Sequence, residues 1–234
     1  MLSYMSYLMR VVLPDRPGTL GAVATALGAA GIDIQSVTVV ERSSEGAVDD
    51  LLFVLPPGGL ADRALSAALS VSGVTVESLR PFLADGRAVA GDLDLADSLA
   101  EHPEQAPATL ARLAPCVFNA DWAVLLEHLD ADDVRIRESS VGAPVLGGGD
   151  LGVPERVRLA LPWLPLAQAR AVRADEGGFP ARWLAVDMAL AAAPVGHPRL
   201  VILLGRPGGP AFRASEIARL AHLAGIAARL ARHD

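Results

Sequence analysis

The sequence contains no lysine: all 20 of its basic residues are arginine. That absence removes a Schiff-base nucleophile for pyridoxal phosphate or a carbonyl substrate, and any phosphate loop ending in Gly-Lys. A single cysteine, Cys116, excludes an intramolecular disulfide and a cysteine-rich metal site, and is compatible with a reducing compartment. Its neighbours Ala114, Pro115, Val117 and Phe118 supply no base to lower its pKa, so it reads as a core residue. Long apolar runs are missing as well. The tracts 188–196 and 200–205 are separated by His197-Pro198-Arg199, and both fall well under the ~18–20 residues of a membrane span. Residues 1–9 show no basic stretch followed by an apolar run. Neither a signal peptide nor membrane association is therefore expected, and a cytoplasmic location is.

Other chemistry-bearing patterns are absent or lack their context. The histidines (His102, His128, His197, His222 and His233) have no paired ligand spacing. Asp130-Ala131-Asp132-Asp133 lacks the glycine and closing glutamate of a calcium loop and reads as a turn. Gly147 to Gly152 matches G-x-G-x-x-G, but Pro144 precedes it and Pro154, Pro162 and Pro165 follow. A dinucleotide site needs a strand before that motif and a helix opening within it, so a flexible loop is the reading here. No G-x-S-x-G is present. No catalytic residue, metal or cofactor is expected.

What is present suits a globular protein of one large or two small domains: 234 residues, 52% hydrophobic and 20% charged. Acids outnumber bases 27 to 20, a formal charge of −7, which argues against a nucleic-acid or anionic-membrane binder.

Residues 7–81 switch between two periods. Residues 7–13 alternate as a strand, and Leu20, Val23, Ala24 and Leu27 recur at helical spacing. Strands follow at 32–41 and 48–55, then a helix striped by Ala61, Leu65, Ala68 and Leu69, and a last strand at 74–80. The order β-α-β-β-α-β is the ferredoxin-like unit, an antiparallel four-stranded sheet under two helices.

Asp15-Arg16-Pro17-Gly18-Thr19-Leu20, followed by Gly31-Ile32-Asp33-Ile34 in that element order, resembles the ACT domain, a regulatory module that commonly binds amino acids. Pro17 fixes φ and Gly18 lets the backbone approach a neighbour closely. The helix that begins there offers orphan N–H donors and a positive dipole end to a carboxylate, and Asp15 offers an acceptor to an ammonium group. The alternative role for Asp15 is a simple helix cap. The resemblance implies ligand contacts at Asp15, Gly18, Thr19, Leu20, Asp33 and Ile34, often across a dimer interface.

After Pro81 the composition turns acidic, with Asp85, Asp92, Asp94, Asp97, Glu101 and Glu104 against one arginine, Arg87. Helices are expected at 94–102 and 106–113, a strand hairpin at 121–129 and 134–140, further strands at 182–191 and 199–206, and a closing helix at 214–233. The expected buried stripe of that helix is Ile217, Leu220, Ala221, Ala224, Ala227, Ala228 and Ala231, with His222, Arg229 and Arg232 opposite. This succession resembles a GAF domain. The cyclic-nucleotide signature of some GAF domains, Asn-Lys…Phe…Asp-Glu, is broken here to Gly205-Arg206…Phe212…Ser215-Glu216. Trp122, Trp163 and Trp183 are either core or the lining of a pocket.

The expected architecture is thus α+β: an ACT domain at 5–82, an acidic linker at 83–105, and a GAF-like domain at 106–234 with an antiparallel sheet flanked by helices. The expected function is non-catalytic and allosteric, a homodimeric sensor of a small ligand, most simply a free amino acid. The alternatives are a regulatory subunit docking on an amino-acid biosynthetic enzyme, or an enzyme with its site in the second half.

Overall fold

The computed structural model describes residues 6–44, 46–82, 91–144, 155–176, 178–179 and 188–232. Contacts divide the chain into two units, Met1–Leu83 and Ala84–Asp234.

In the first unit the elements are β1 (Ser6–Leu13), α1 (Thr19–Ala29), β2 (Asp33–Ser43), β3 (Gly46–Val54), α2 (Ala61–Leu69) and β4 (Thr75–Phe82). The sheet runs β2-β3-β1-β4 with every neighbouring pair antiparallel. Period-two alternation sorts β1: Met9, Val11 and Leu13 join the core, while Leu8, Arg10 and Val12 take the other face. Leu51 and Phe53 of β3 extend that core, and Val23 and Leu27 of α1 and Ala64 and Ala68 of α2 close it. Small alanines on α2 allow it to lie close. Each fully buried Leu or Phe contributes ~1.5–3 kcal/mol of transfer free energy, so these few side chains decide which sheet face the two helices cover.

Two polar groups in β3 are buried on opposite faces. Asp50 pairs with Arg10 away from the core residues, and Asp49, opposite Val11, lies on the core side. Asp49 is 3% exposed, and its Oδ1 receives no hydrogen bond. Burial pushes its carboxyl above the usual carboxylate range; Arg42 pulls it down and Asp50 pushes it up further.

The second unit contains α3 (Asp92–Glu101), α4 (Ala106–Val117), β5 (Trp122–Asp130), β6 (Asp133–Ser139), β7 (Glu155–Arg158), β8 (Arg170–Val172), β9 (Met188–Pro194), β10 (Leu200–Pro207) and α5 (Ala214–Leu230). Its six strands form one antiparallel sheet in the order β7-β6-β5-β10-β9-β8. One face carries the three helices over Ala123, Leu125, Ile202 and Leu204. The other packs Trp122, Val124 and Leu203 beneath Leu161, Trp163 and Leu166 from the loop after β7. Helix α3, inside the acidic stretch, buries Leu95 and Leu99 in the first of these cores and points its acids outward.

Gly205 of β10 faces Trp122 of β5 in register. A Cβ there would fall inside the indole ring, so glycine is what lets the ring lie flat on the sheet.

The closing helix buries Glu216, Leu220, Leu223, Ala224, Ala227 and Ala228. The expected stripe is corrected at two places: Ala221 is exposed, and Leu223 is buried. Alanine gives little contrast between faces, so leucine and the Glu216 contact set the rotation. The strand expected at 182–191 is described at Met188–Pro194, so its end moves three residues on; residues 180–187 lie outside the described residues.

Candidate functional site

The loop that opens α1 is ordered by its own backbone and one hydroxyl. Arg16 N donates to Pro14 O at 2.7 Å, and Thr19 N to Arg16 O at 3.2 Å. Thr19 Oγ1 donates to Arg16 O at 2.9 Å and Pro14 O at 3.3 Å. Gly18 is the N-cap with φ of 89°, a left-handed conformation that a Cβ disfavours, and no side chain caps the helix. Asp15 is therefore not the cap. It is exposed at the loop's tip, as is Gly18, while Thr19 and Leu20 are half-buried. Leu20 packs against the core. An uncapped first turn leaves N–H groups and the positive dipole end directed at the loop, where an anionic group is favourable.

Asp33 and Ile34 open β2. Asp33 is exposed and accepts a hydrogen bond from Gln35 Nε2 at 2.7 Å, and Ile34 packs against the core. The register places them. Asp33 pairs with Val54, and Val54 pairs with Ser6, the first residue of β1. The Asp15 loop follows Leu13, the last residue of β1. At ~3.3 Å per residue the two ends of β1 are roughly 23 Å apart. Within one chain, then, Asp15, Gly18, Thr19 and Leu20 lie together, and Asp33 and Ile34 lie at the opposite end of the sheet.

In the second unit, Trp122 and Trp163 are 2% and 7% exposed and share one apolar core. Trp183 and the glycine-rich run 147–152 lie outside the described residues. Phe212 and Glu216, the surviving members of the broken signature, both serve Arg206. Its guanidinium sits 4.0 Å from the Phe212 ring centroid and donates to Glu216 Oε1 at 2.8 Å. It also donates to the carbonyls of Phe118 at 2.7 Å, Asn119 at 3.2 Å and Pro210 at 3.0 Å. These residues anchor β10 to α5, a structural role that a sequence comparison cannot distinguish from a ligand site. Asp130-Ala131-Asp132-Asp133 forms the β5–β6 turn, with Asp132 N donating to Asp130 Oδ1 at 3.2 Å. Among the described residues no group of three or more His, Cys, Asp or Glu could hold a metal ion, and no helix is long and apolar enough to cross a membrane.

Comparison with known proteins matches residues 7–69 to the ACT domain family. That span runs from β1 through α2; the structure adds β4, which completes the four-stranded sheet. A comparison with curated proteins gives no match. Among solved structures, the crystal structure of an unknown protein from Galdieria sulphuraria is 10% identical, covering 97% of this chain and 92% of that one with a TM-score of 0.32.

Proposed function

We propose that this chain is a non-catalytic sensor that binds a free amino acid at its N-terminal ACT domain and acts as a homodimer. Residues 7–69 form that ACT domain, and the regulatory, small-ligand-binding character of the family is the starting point. The observation that carries the reading is the uncapped first turn of α1 behind an ordered loop, with the exposed Asp15 carboxylate beside it. Helix donors take a carboxylate and Asp15 takes an ammonium group, the two poles of an α-amino acid.

Homodimerisation follows from the split of the six residues between opposite ends of the sheet. One loop is joined to the Asp33–Ile34 end of a second copy, so the ligand is held between subunits. The edge strand β2 exposes Val37 at 41% and Val39 at 45% on the side of the core residues, an apolar pair suited to burial against that copy. The second unit, read as a GAF-like domain following the acidic stretch, presents the response. A six-stranded antiparallel sheet with helices on one face supports that reading. Ligand between subunits favours one arrangement of the dimer, with a coupling typically of ~1–3 kcal/mol that is reciprocal between ligand and response.

The test is a thermal-shift scan of the purified chain against the twenty amino acids at millimolar concentration. A ligand present at ~100 times its Kd stabilises the folded state by about 2.7 kcal/mol. One clear hit that Asp15→Ala removes supports the sensor. No hit transfers the function to docking, and a pull-down from the native host then looks for a stable complex with a biosynthetic enzyme.

A further inference from the structure

The helix face of the second sheet carries a half-open cleft of about 540 Å³, a volume within the ~300–1,000 Å³ typical of small-molecule sites. Half-buried Leu200 of β10 gives it apolar surface above the buried Leu125 of β5, and Pro107 and Ala108 bring the first turn of α4 to it. The first N–H of that helix, on Ala106, is held by Pro103 O, and Pro107 has no N–H to offer.

Charges of both signs line the same cleft. Arg137, in the lining, and Arg135, outside it, each donate through Nη1 to one oxygen of Glu127, Oε2, at 3.3 and 3.0 Å. Both bonds fall on Oε2, so Oε1 stays available to a further donor. Arg199 gives one Nη1 hydrogen bond to Leu129 O at 3.2 Å, and its fork has five N–H donors in all. Its backbone N–H is held by His197 Nδ1 at 3.1 Å, which fixes the β9–β10 turn that presents the side chain. Glu104 adds a second carboxylate, half exposed.

This combination selects among ligands. A phosphate or sulfate would meet Glu104 and Glu127 as like charges, which disfavours it despite the arginines. Among the described residues, a nucleotide base would find no aromatic surface other than the imidazoles of His128 and His197. A molecule with one carboxylate, one ammonium group and a short aliphatic body satisfies every part. Its carboxylate meets Arg199, its ammonium meets Glu127 Oε1 and Glu104, and its body covers Leu200.

We propose that this cleft is a second binding site, distinct from the ACT loop, for a free aliphatic amino acid. It makes the second unit a ligand-binding domain in its own right and does not depend on the ACT site being occupied.

The experiment is isothermal titration of the full-length chain with L-leucine, its 2-oxo acid and 3-methylbutylamine, repeated on Arg199→Gln, Glu127→Gln and Asp15→Ala. Saturable leucine binding is expected to weaken about tenfold or more in each of the first two variants and to persist in Asp15→Ala. The oxo acid and the amine, each missing one pole, are expected to bind about tenfold or more weakly than leucine. Circular dichroism checks that the two exposed-site variants remain folded, and the methyl resonances of Leu125 and Leu200 report occupancy independently of heat. Absence of leucine binding overturns the proposal, as does an oxo acid that binds as tightly as leucine. Leucine binding lost in Asp15→Ala but kept in Arg199→Gln overturns it too, while supporting the ACT-loop reading.

Discussion

Arg10 on β1 and Asp50 on β3 are register partners whose side chains form a two-pronged ion pair: Nε to Oδ1 at 2.7 Å and Nη2 to Oδ2 at 2.8 Å. Both side chains are essentially inaccessible, at 0% and 1%. The fork fixes direction as well as charge, because both donors must meet both oxygens. It therefore pins the register of the two central strands that carry the ACT loop. Asp50→Ala strips the guanidinium of this partner and is expected to cost ~3–5 kcal/mol. Replacing both residues with apolar ones, Arg10→Met with Asp50→Leu, is expected to recover most of that loss. Urea denaturation followed by far-UV circular dichroism makes the comparison, and a single variant as stable as the parent would remove the pair's structural role.

Asp49, the neighbour on the other face, works against stability. Its pKa is raised in the fold, chiefly by burial, so the folded state binds a proton that the unfolded state has already released. Stability from this group is greatest below the ordinary carboxylate range and falls as pH rises from that range through the raised value. Asp49→Asn is expected to flatten that fall and to leave the protein more stable than the parent at neutral pH. Carboxyl NMR titration of Asp49 gives the midpoint directly. A midpoint at or below the ordinary aspartate value would contradict the burial argument.

Gly205→Ala tests the contact with Trp122. The added methyl group meets the indole, which is 2% exposed and packed against Val124 and Leu126, so the ring cannot withdraw cheaply. Overpacking of this kind costs ~1–3 kcal/mol. A lower Tm with a shifted tryptophan emission is expected; an unchanged Tm and spectrum would show that the sheet absorbs the methyl elsewhere.

Glu216 ties β10 to the start of α5. One oxygen accepts from Arg206 Nη2 at 2.8 Å, and the other accepts from Arg213 N at 2.8 Å, closing the start of α5. Glu216→Gln keeps the shape and loses the charge, and it is expected to cost ~1.5–3 kcal/mol, the scale of a hydrogen bond to a charged group. The readout is loss of hydrogen-exchange protection in the first turn of α5. Unchanged exchange would assign that turn's stability to its leucines alone.

The first unit was legible because its two periods are clean. β1 alternates, α1 repeats at three and four, and glycines sit where the chain reverses, so all six elements fall within a few residues of their expected bounds. In the second unit β7 and β8 are four and three residues long and lie in a stretch broken by proline and glycine. Such strands carry no period of their own; neighbours already placed in the sheet define them. Asp130 to Asp133 reads correctly as a turn from the lack of calcium-loop spacing alone. The candidate ACT residues were legible as a motif, but their separation was not. That Asp33 lies at the Ser6 end of the sheet and Asp15 at the Leu13 end follows from strand register, which local sequence does not encode. The cleft beside α4 was invisible for the same reason, since Glu104, Glu127 and Arg199 come from three separate segments.

The most direct measurement mixes two inactive variants of the full-length chain. Asp15→Ala and Asp33→Ala are prepared separately, then refolded together, and binding of the amino acid found in the thermal-shift scan is measured by titration calorimetry. If each site joins the loop of one subunit to the strand of the other, a mixed dimer contains one site with both aspartates intact. Each variant alone is then expected to bind weakly and the mixture to regain parental affinity at reduced stoichiometry. A mixture as weak as its components would mean that the two aspartates do not share a site, and would contradict the intersubunit account.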